Sequence, residues 1–252
     1  MNPIPISVQL YSLREEAKAD FPGVLEKVAD MGYVGVEPAG LHGMKPEEVR
    51  KVLDDLGLVA SSTHGPFPNK ENVNEIVDTA KALGHTRHIA GFGPKDCETL
   101  ETTLEAAKRA QGAAELLDGT GITFGLHNHW WEFDKQFDGK LPHEVIMEGA
   151  PAVFAEVDTY WVAVGGADAA GVVKKLGSRA PLLHIKDGPK NREEAMTAVG
   201  AGAMDWSAVM EAAQGSAEWL VVELDKCDSD MATAVAESYT YLTSNGFAKG
   251  RK

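Results

Sequence analysis

Four pairs of ionisable residues recur with one residue between their members: His127 and His129, Glu156 and Asp158, His184 and Lys186, Glu223 and Asp225. A spacing of two is the repeat of an extended strand, where alternate side chains share a face. Each pair therefore presents two polar groups to one side, and Glu37 and His64 end two further apolar runs. Imidazole and carboxylate donors without a thiolate suit a divalent ion, Mn²⁺, Mg²⁺, Co²⁺ or Zn²⁺, without choosing among them. An ion chelated by a carbonyl and a neighbouring hydroxyl acidifies the adjacent C–H and stabilises the enediolate left by a base. Returning the proton to the neighbouring carbon isomerises, returning it to the other face epimerises, and expelling a β-substituent eliminates.

Groups so far apart in sequence need a frame that gathers them. Short apolar or β-branched runs predict strands at residues 5–10, 33–37, 59–64, 86–90, 122–127, 153–158, 182–186 and 219–224. Helical stretches fall between them at 22–31, 46–56, 72–83, 98–117, 169–176 and 207–213, several followed by a glycine suited to a left-handed cap: Gly32, Gly57, Gly84 and Gly177. Strict alternation over eight units predicts parallel strands closed into a single (β/α)8 TIM barrel over residues 1–252, an α/β fold. A doubly wound open sheet is the alternative, but no GxGxxG follows the first strand. Within the barrel, Ala155 and Val157, Leu183 and Ile185, and Leu220, Val222 and Leu224 take the helix-facing parity. Phe154, Glu156, Asp158, His184, Lys186 and Glu223 are left on the axis, with Thr123, Gly125 and His127 from the fifth strand. These polar groups lie at the C-terminal ends of their strands, where barrel enzymes build active sites. One inward His or Glu is ordinarily a hydrogen-bonded core residue. Several carboxylates buried together without a cation cost several kcal/mol per charge, which points to a bound metal.

Along the chain stand Val8-Gln9-Leu10-Tyr11-Ser12, Gly35-Val36-Glu37, Leu126-His127-Asn128-His129 with Glu132-Phe133, and Val157-Asp158-Thr159-Tyr160-Trp161. His184-Ile185-Lys186-Asp187, Val199-Gly200-Ala201-Gly202 and Val222-Glu223-Leu224-Asp225 follow. With these pieces the chain resembles the xylose isomerase-like barrel superfamily, in particular the sugar phosphate isomerase/epimerase group with its inosose dehydratase and tagatose 3-epimerase relatives. The resemblance covers almost the whole chain. It implies one divalent metal held by a Glu of strand five, an Asp of strand six, a His of strand seven and a Glu of strand eight. Asp158, His184 and Glu223 match the last three, whereas His127 stands where the family has glutamate. The fourth ligand is then either His127 or Glu156.

The resemblance further implies an isomerase or epimerase of a keto-sugar or polyol, with Glu223, His127, Lys186 and Glu156 as candidate catalytic groups. Epimerising relatives use two metal-bound glutamates, and His127 breaks that pair while offering a base near neutral pH. Elimination from an inosose or 3-keto-glycoside is therefore the alternative, and a non-catalytic sugar-binding barrel a second one. Lys186 either donates to the substrate carbonyl or forms a salt bridge to Asp187 or Glu223. Glu37, His64 and His129 are candidate substrate contacts, the first two alternatively polar caps of the barrel. Trp130 and Trp161, near Trp131 and Tyr160, either stack on a sugar face or pack loops. With only Lys186, Lys190 and Arg192 near one loop and no Gly-rich cradle, an unphosphorylated substrate is expected.

The bulk numbers agree with such an enzyme. A chain of 252 residues matches one barrel and buries about three quarters of its unfolded surface. With 44% hydrophobic and 25% charged residues it is an ordinary globular sequence. The net charge of -14 opposes binding to phosphate backbones and disfavours a nuclease of the endonuclease IV type, so no nucleic-acid partner is expected. No apolar run reaches the roughly 18 residues of a membrane span, and residues 1–7 do not read as a signal peptide, so a cytoplasmic location is expected. Cys97 and Cys227 lack CxxC partners and read as idle thiols. A homo-oligomer is compatible with the sequence.

Overall fold

A computed structural model describes residues 2–251. Strands β1 (Ile4–Gln9), β2 (Gly35–Glu37), β3 (Val59–Ala60), β4 (Thr63–His64) and β5 (Arg87–Gly91) are followed by β6 (Thr123–His127), β7 (Phe154–Asp158), β8 (Leu182–Ile185) and β9 (Trp219–Val222). They pair in the order β3-β2-β1-β9-β8-β7-β6-β5-β4, each neighbouring pair parallel. This is the (β/α)8 barrel, with β3 and β4 as two halves of the third strand. The single strand expected at 59–64 is interrupted at Ser61 and Ser62 because it changes partners there. Ser61 N–H still donates to Val36 on one side (2.9 Å), whereas Gly65 N–H donates to Ile89 on the other (2.9 Å). The same short segment thus closes the barrel.

Alternation assigns the two faces. Ala155, Val157, Leu183, Ile185, Leu220, Val222 and Leu224 are buried in the larger hydrophobic cluster between strands and helices. On the axis, Phe154 fills the space over Gly125, where an added Cβ would stand 2.2 Å from its ring. That pair plugs the lower barrel and leaves the polar layer above it.

Helices α1 (Arg14–Ala19), α2 (Phe21–Met31), α3 (Pro46–Leu56), α4 (Val73–Leu83) and α5 (Leu100–Leu116) surround the first half. The second half carries α6 (Pro142–Gly149), α7 (Thr159–Val164), α8 (Ala169–Leu176), α9 (Trp206–Ala213) and α10 (Met231–Ser244). Left-handed glycines end α2, α3 and α4 as expected, at Gly32, Gly57 and Gly84. Gly177 departs from that expectation: its ψ of -128 takes it out of the left-handed helical region, and the chain continues into a 3-10 turn. α5 is shorter than the predicted 98–117, because Thr99 caps it by accepting the Thr102 N–H at 3.1 Å. The Thr-rich α10 escaped the periodicity reading, as did the two-residue β10 (Ala248–Lys249), which pairs with β1 off the barrel path. Among the described residues no helix is long and apolar enough to cross a membrane.

Candidate functional site

His127, Asp158 and His184 come from the C-terminal ends of β6, β7 and β8, and Glu223 directly follows β9. One ligand atom from each lies within 4.8 Å of the others, and all four residues are buried. His127 Nε2 is 3.3 Å from Asp158 Oδ2 and 3.9 Å from Glu223 Oε2, and His184 Nδ1 is 2.8 Å from the same Glu223 oxygen. Asp158 divides its oxygens: Oδ1 accepts the Trp161 N–H at 2.8 Å as the N-cap of α7, which leaves Oδ2 for the cluster. Asn128 holds the same residue by its backbone, accepting from Asp158 N (3.0 Å) and donating to Asp158 O (3.2 Å).

Glu156 is not in this set. It falls in a second group with Glu37 and the other face of His184, whose Nε2 is 3.1 Å from Glu156 Oε2 and 3.1 Å from Glu37 Oε1. Both Glu156 oxygens lack a hydrogen-bond partner. Burial and the neighbouring Glu37 push its carboxyl well above the usual range, with His184 pulling the other way. Of the two residues left open for the fourth position, the barrel thus brings His127, not Glu156, alongside Asp158, His184 and Glu223.

Lys186, just past the end of β8, brings its Nζ into the cluster, 2.6 Å from Glu223, 2.7 Å from Asp225 and 3.0 Å from Asp158. The salt bridge to Glu223 is therefore present, but the one to Asp187 is not. Asp187 instead accepts from Gly188 N, Gly200 N, Met204 N and Trp206 Nε1 at 2.7–3.2 Å, tying down the loop after β8. Burial opposes the charge on Glu223, but Lys186 and His184 outweigh it and hold the carboxyl ionised. Burial likewise opposes protonation of His184, but Glu156 and Glu223 outweigh it and raise its pKa well above the usual value. His127 is kept neutral by burial and by the charge on His184.

The charges do not balance. Five carboxylates meet here, from Glu37, Glu156, Asp158, Glu223 and Asp225. They face two basic groups, Lys186 and His184. Carboxyl groups thus outnumber basic groups at the barrel mouth, an excess that a divalent cation would offset. Two imidazoles and two carboxylates converging from four strands could hold such an ion. Neutral His127 offers the lone pair that ligation requires.

Above the cluster opens a cleft of about 330 Å³ lined by Gln9, Tyr11, His64, His127, His129, Glu223 and Asp225, with Ala39 at its wall. A larger concavity of about 660 Å³ lies around the C-terminus of α5 and the start of β6, at the opposite end of the barrel from these groups. Trp130 and Trp161 are not cleft-lining: Arg192 stacks over Trp130 at 4.0 Å, and Trp161 faces the Lys186 ammonium at 5.5 Å. His129 stacks on Trp131, with ring centroids 4.2 Å apart. The exposed aromatic at the cleft is Tyr11, 44% accessible. Sequence reasoning gave no role to Tyr11, Gln9, Ser62 or Asn128. Gln9 shares the inner parity of strand one, so the alternation argument would have found it had it been applied there.

The sequence profile of the xylose isomerase-like TIM barrel family matches residues 25–244, and the chain belongs to that family. No curated protein matches the chain in sequence. Among solved structures it is similar to a sugar phosphate isomerase/epimerase from Parabacteroides distasonis at 24% identity and a TM-score of 0.80, covering 99% of this chain and 96% of that one. A probable 3-DHS dehydratase from Bacillus anthracis superposes with a TM-score of 0.75 at 12% identity, covering 95% and 99%. An IOLI protein with a bound zinc atom gives 0.72 at 15%, covering 96% and 98%.

Proposed function

We propose that this chain is a divalent-metal-dependent enzyme that removes a proton beside the carbonyl of a keto-sugar or related polyol and returns it, as an isomerase or epimerase. The observation that carries this reading is the buried cluster of His127, Asp158, His184 and Glu223, whose ligand atoms converge at the mouth of the barrel. Those four residues would hold the ion, Mn²⁺ foremost. When bound, it supplies Lewis-acid stabilisation of charge developing on substrate oxygens. The named functions and the zinc of the structural neighbours support the same class of chemistry.

This chain's own groups perform the remaining tasks. Glu223, held ionised and lining the cleft, is placed to accept the proton. Lys186 Nζ, which faces Glu223, Asp225 and Asp158 together, keeps that carboxylate in position. His64 and His129, both held neutral by burial, line the cleft beside Glu223, and Tyr11 presents a ring for a sugar face. A neutral imidazole can take a proton on the face opposite Glu223, or deliver one to a departing oxygen.

That second possibility favours a specific alternative, β-elimination from an inosose or 3-keto-glycoside. The ligand set has His127 in place of a second glutamate, so the pair of metal-bound glutamates on opposite substrate faces is not assembled. Incubation with keto-sugars and inososes in D₂O with Mn²⁺ separates the outcomes. Deuterium at the exchanged carbon with a rearranged sugar supports isomerisation or epimerisation, and an unsaturated product supports elimination. No solvent exchange with any such substrate sinks the proton-abstraction mechanism, and tight sugar binding that ignores EDTA identifies a binding protein instead.

A further inference from the structure

Glu37 is a buried group to which the proposed chemistry gives no task. It ends β2, is fully buried, and is absent from the cleft lining, so contact with a substrate hydroxyl is not its geometry. Its oxygens are already engaged. Gln9 Nε2 donates to Oε1 at 2.6 Å, and the Ser62 hydroxyl donates to Oε2. Gln9 is fixed in turn, because its Oε1 accepts the Tyr11 N–H at 3.0 Å. Glu37 Oε1 also lies 3.1 Å from His184 Nε2, a nitrogen that Glu156 Oε2 approaches at 3.1 Å as well. A carboxylate oxygen accepts, so this nitrogen must approach as an N–H. The opposite nitrogen, Nδ1, faces the four-group cluster 2.8 Å from Glu223 Oε2; that contact also calls for an N–H, and a cation held among the four groups would take the place of that hydrogen, not of the one on Nε2.

We infer that Glu37, braced by Gln9 and Ser62, is a positioning residue that holds the His184 hydrogen on Nε2 and thereby presents the Nδ1 lone pair to the metal. The inference rests on the metal-binding reading above. An imidazole ligand whose second nitrogen donates to a carboxylate has its ring plane and tautomer fixed and its basicity raised, and loss of such a partner costs about 10–100-fold in metal affinity. Ser62, at the break in the third strand, and Gln9, at the tip of the first, thus act on the metal through two intermediaries.

The test uses the full chain. In ¹⁵N-histidine protein loaded with Zn²⁺, long-range ¹H–¹⁵N spectra should show His184 protonated at Nε2 and zinc-bound at Nδ1; the reverse pattern overturns the inference whatever the variants do. Calorimetric titration of EDTA-stripped protein with Mn²⁺ should show Glu37→Gln binding about 10–100-fold more weakly than wild type. Gln9→Met, which removes one brace and keeps the carboxylate, should lie between the two. Unchanged Mn²⁺ affinity in a Glu37→Gln protein that melts cooperatively overturns the assignment, and if that variant does not fold, unchanged affinity in Gln9→Met does so. Failure of the underlying reading is distinct, since wild-type protein would then bind no Mn²⁺ at all.

Discussion

Lys186→Met isolates the electrostatic argument on which the site rests. The ammonium is 1% exposed and lies 2.6–3.0 Å from carboxylate oxygens of Glu223, Asp225 and Asp158. At an effective dielectric near 20 each such contact represents roughly 5–6 kcal/mol of gross Coulomb attraction, most of it cancelled by desolvation. Methionine fills similar volume but leaves three carboxylates facing one another. Removing one partner of a buried pair costs about 3–5 kcal/mol. That loss should lower the melting temperature of EDTA-treated protein by about 6–20 °C for a chain of this size. Mn²⁺ should raise the melting temperature of the variant more than that of wild type, because the cation supplies the charge that the lysine no longer does. Urea and thermal unfolding, each with EDTA and with Mn²⁺, measure both quantities. A metal-free variant within about 1 kcal/mol of wild type would refute the claim that the cluster is short of positive charge.

Three further outcomes follow from the same geometry. His127→Ala should weaken Mn²⁺ binding at least 100-fold or so, since a direct ligand exceeds the outer-shell effect, while Glu156→Gln should show less than about a tenth of that change; equal effects in calorimetry would return Glu156 to the ligand set. Asp187→Ala strands four N–H donors, two of them on the buried Gly188 and Trp206, and at about 1–3 kcal/mol for each buried one it should cost roughly 2–5 kcal/mol in urea unfolding, with Asp187→Asn costing less. His143, stacked on Phe133 at 4.9 Å, is pushed down to about 4 by burial. The unfolded chain takes up that proton near 6.5, so stability is complete above 6.5 and falls as pH drops toward 4, by about 3 kcal/mol at most. His143→Phe should flatten the pH dependence of the melting temperature in that window, and an unchanged slope would show that other groups carry it.

The xylose isomerase-like barrel was legible in the chain because its information is local. Alternation in Ala155-Glu156-Val157-Asp158 and Leu183-His184-Ile185-Lys186 sorts each strand into helix-facing and axis-facing sides without knowledge of any partner, and left-handed glycines punctuate three of the helices. Elements with weaker local signals were lost: the Thr-rich α10, the two-residue β10, and the break at Ser61-Ser62, which exists only because the barrel must close.

Which polar groups share the axis was likewise determined by the sequence, but which atom meets which was not. Glu156 and Asp158 have the same parity and differ by one layer of the barrel. The register pairs Asp158 with His184 but His127 with Glu156, and it is the reach of the side chains across that stagger that sets His127 Nε2 against Asp158 Oδ2 and leaves Glu156 with Glu37 and the other nitrogen of His184. The contact between His184 and Glu37 spans 147 residues, so no spacing rule could foresee it. Closure of the barrel brings them together, and with that contact decides which nitrogen of His184 faces the centre. Alternation fixes the direction of a side chain along one strand, whereas the neighbours it meets depend on how eight strands are staggered around a common axis.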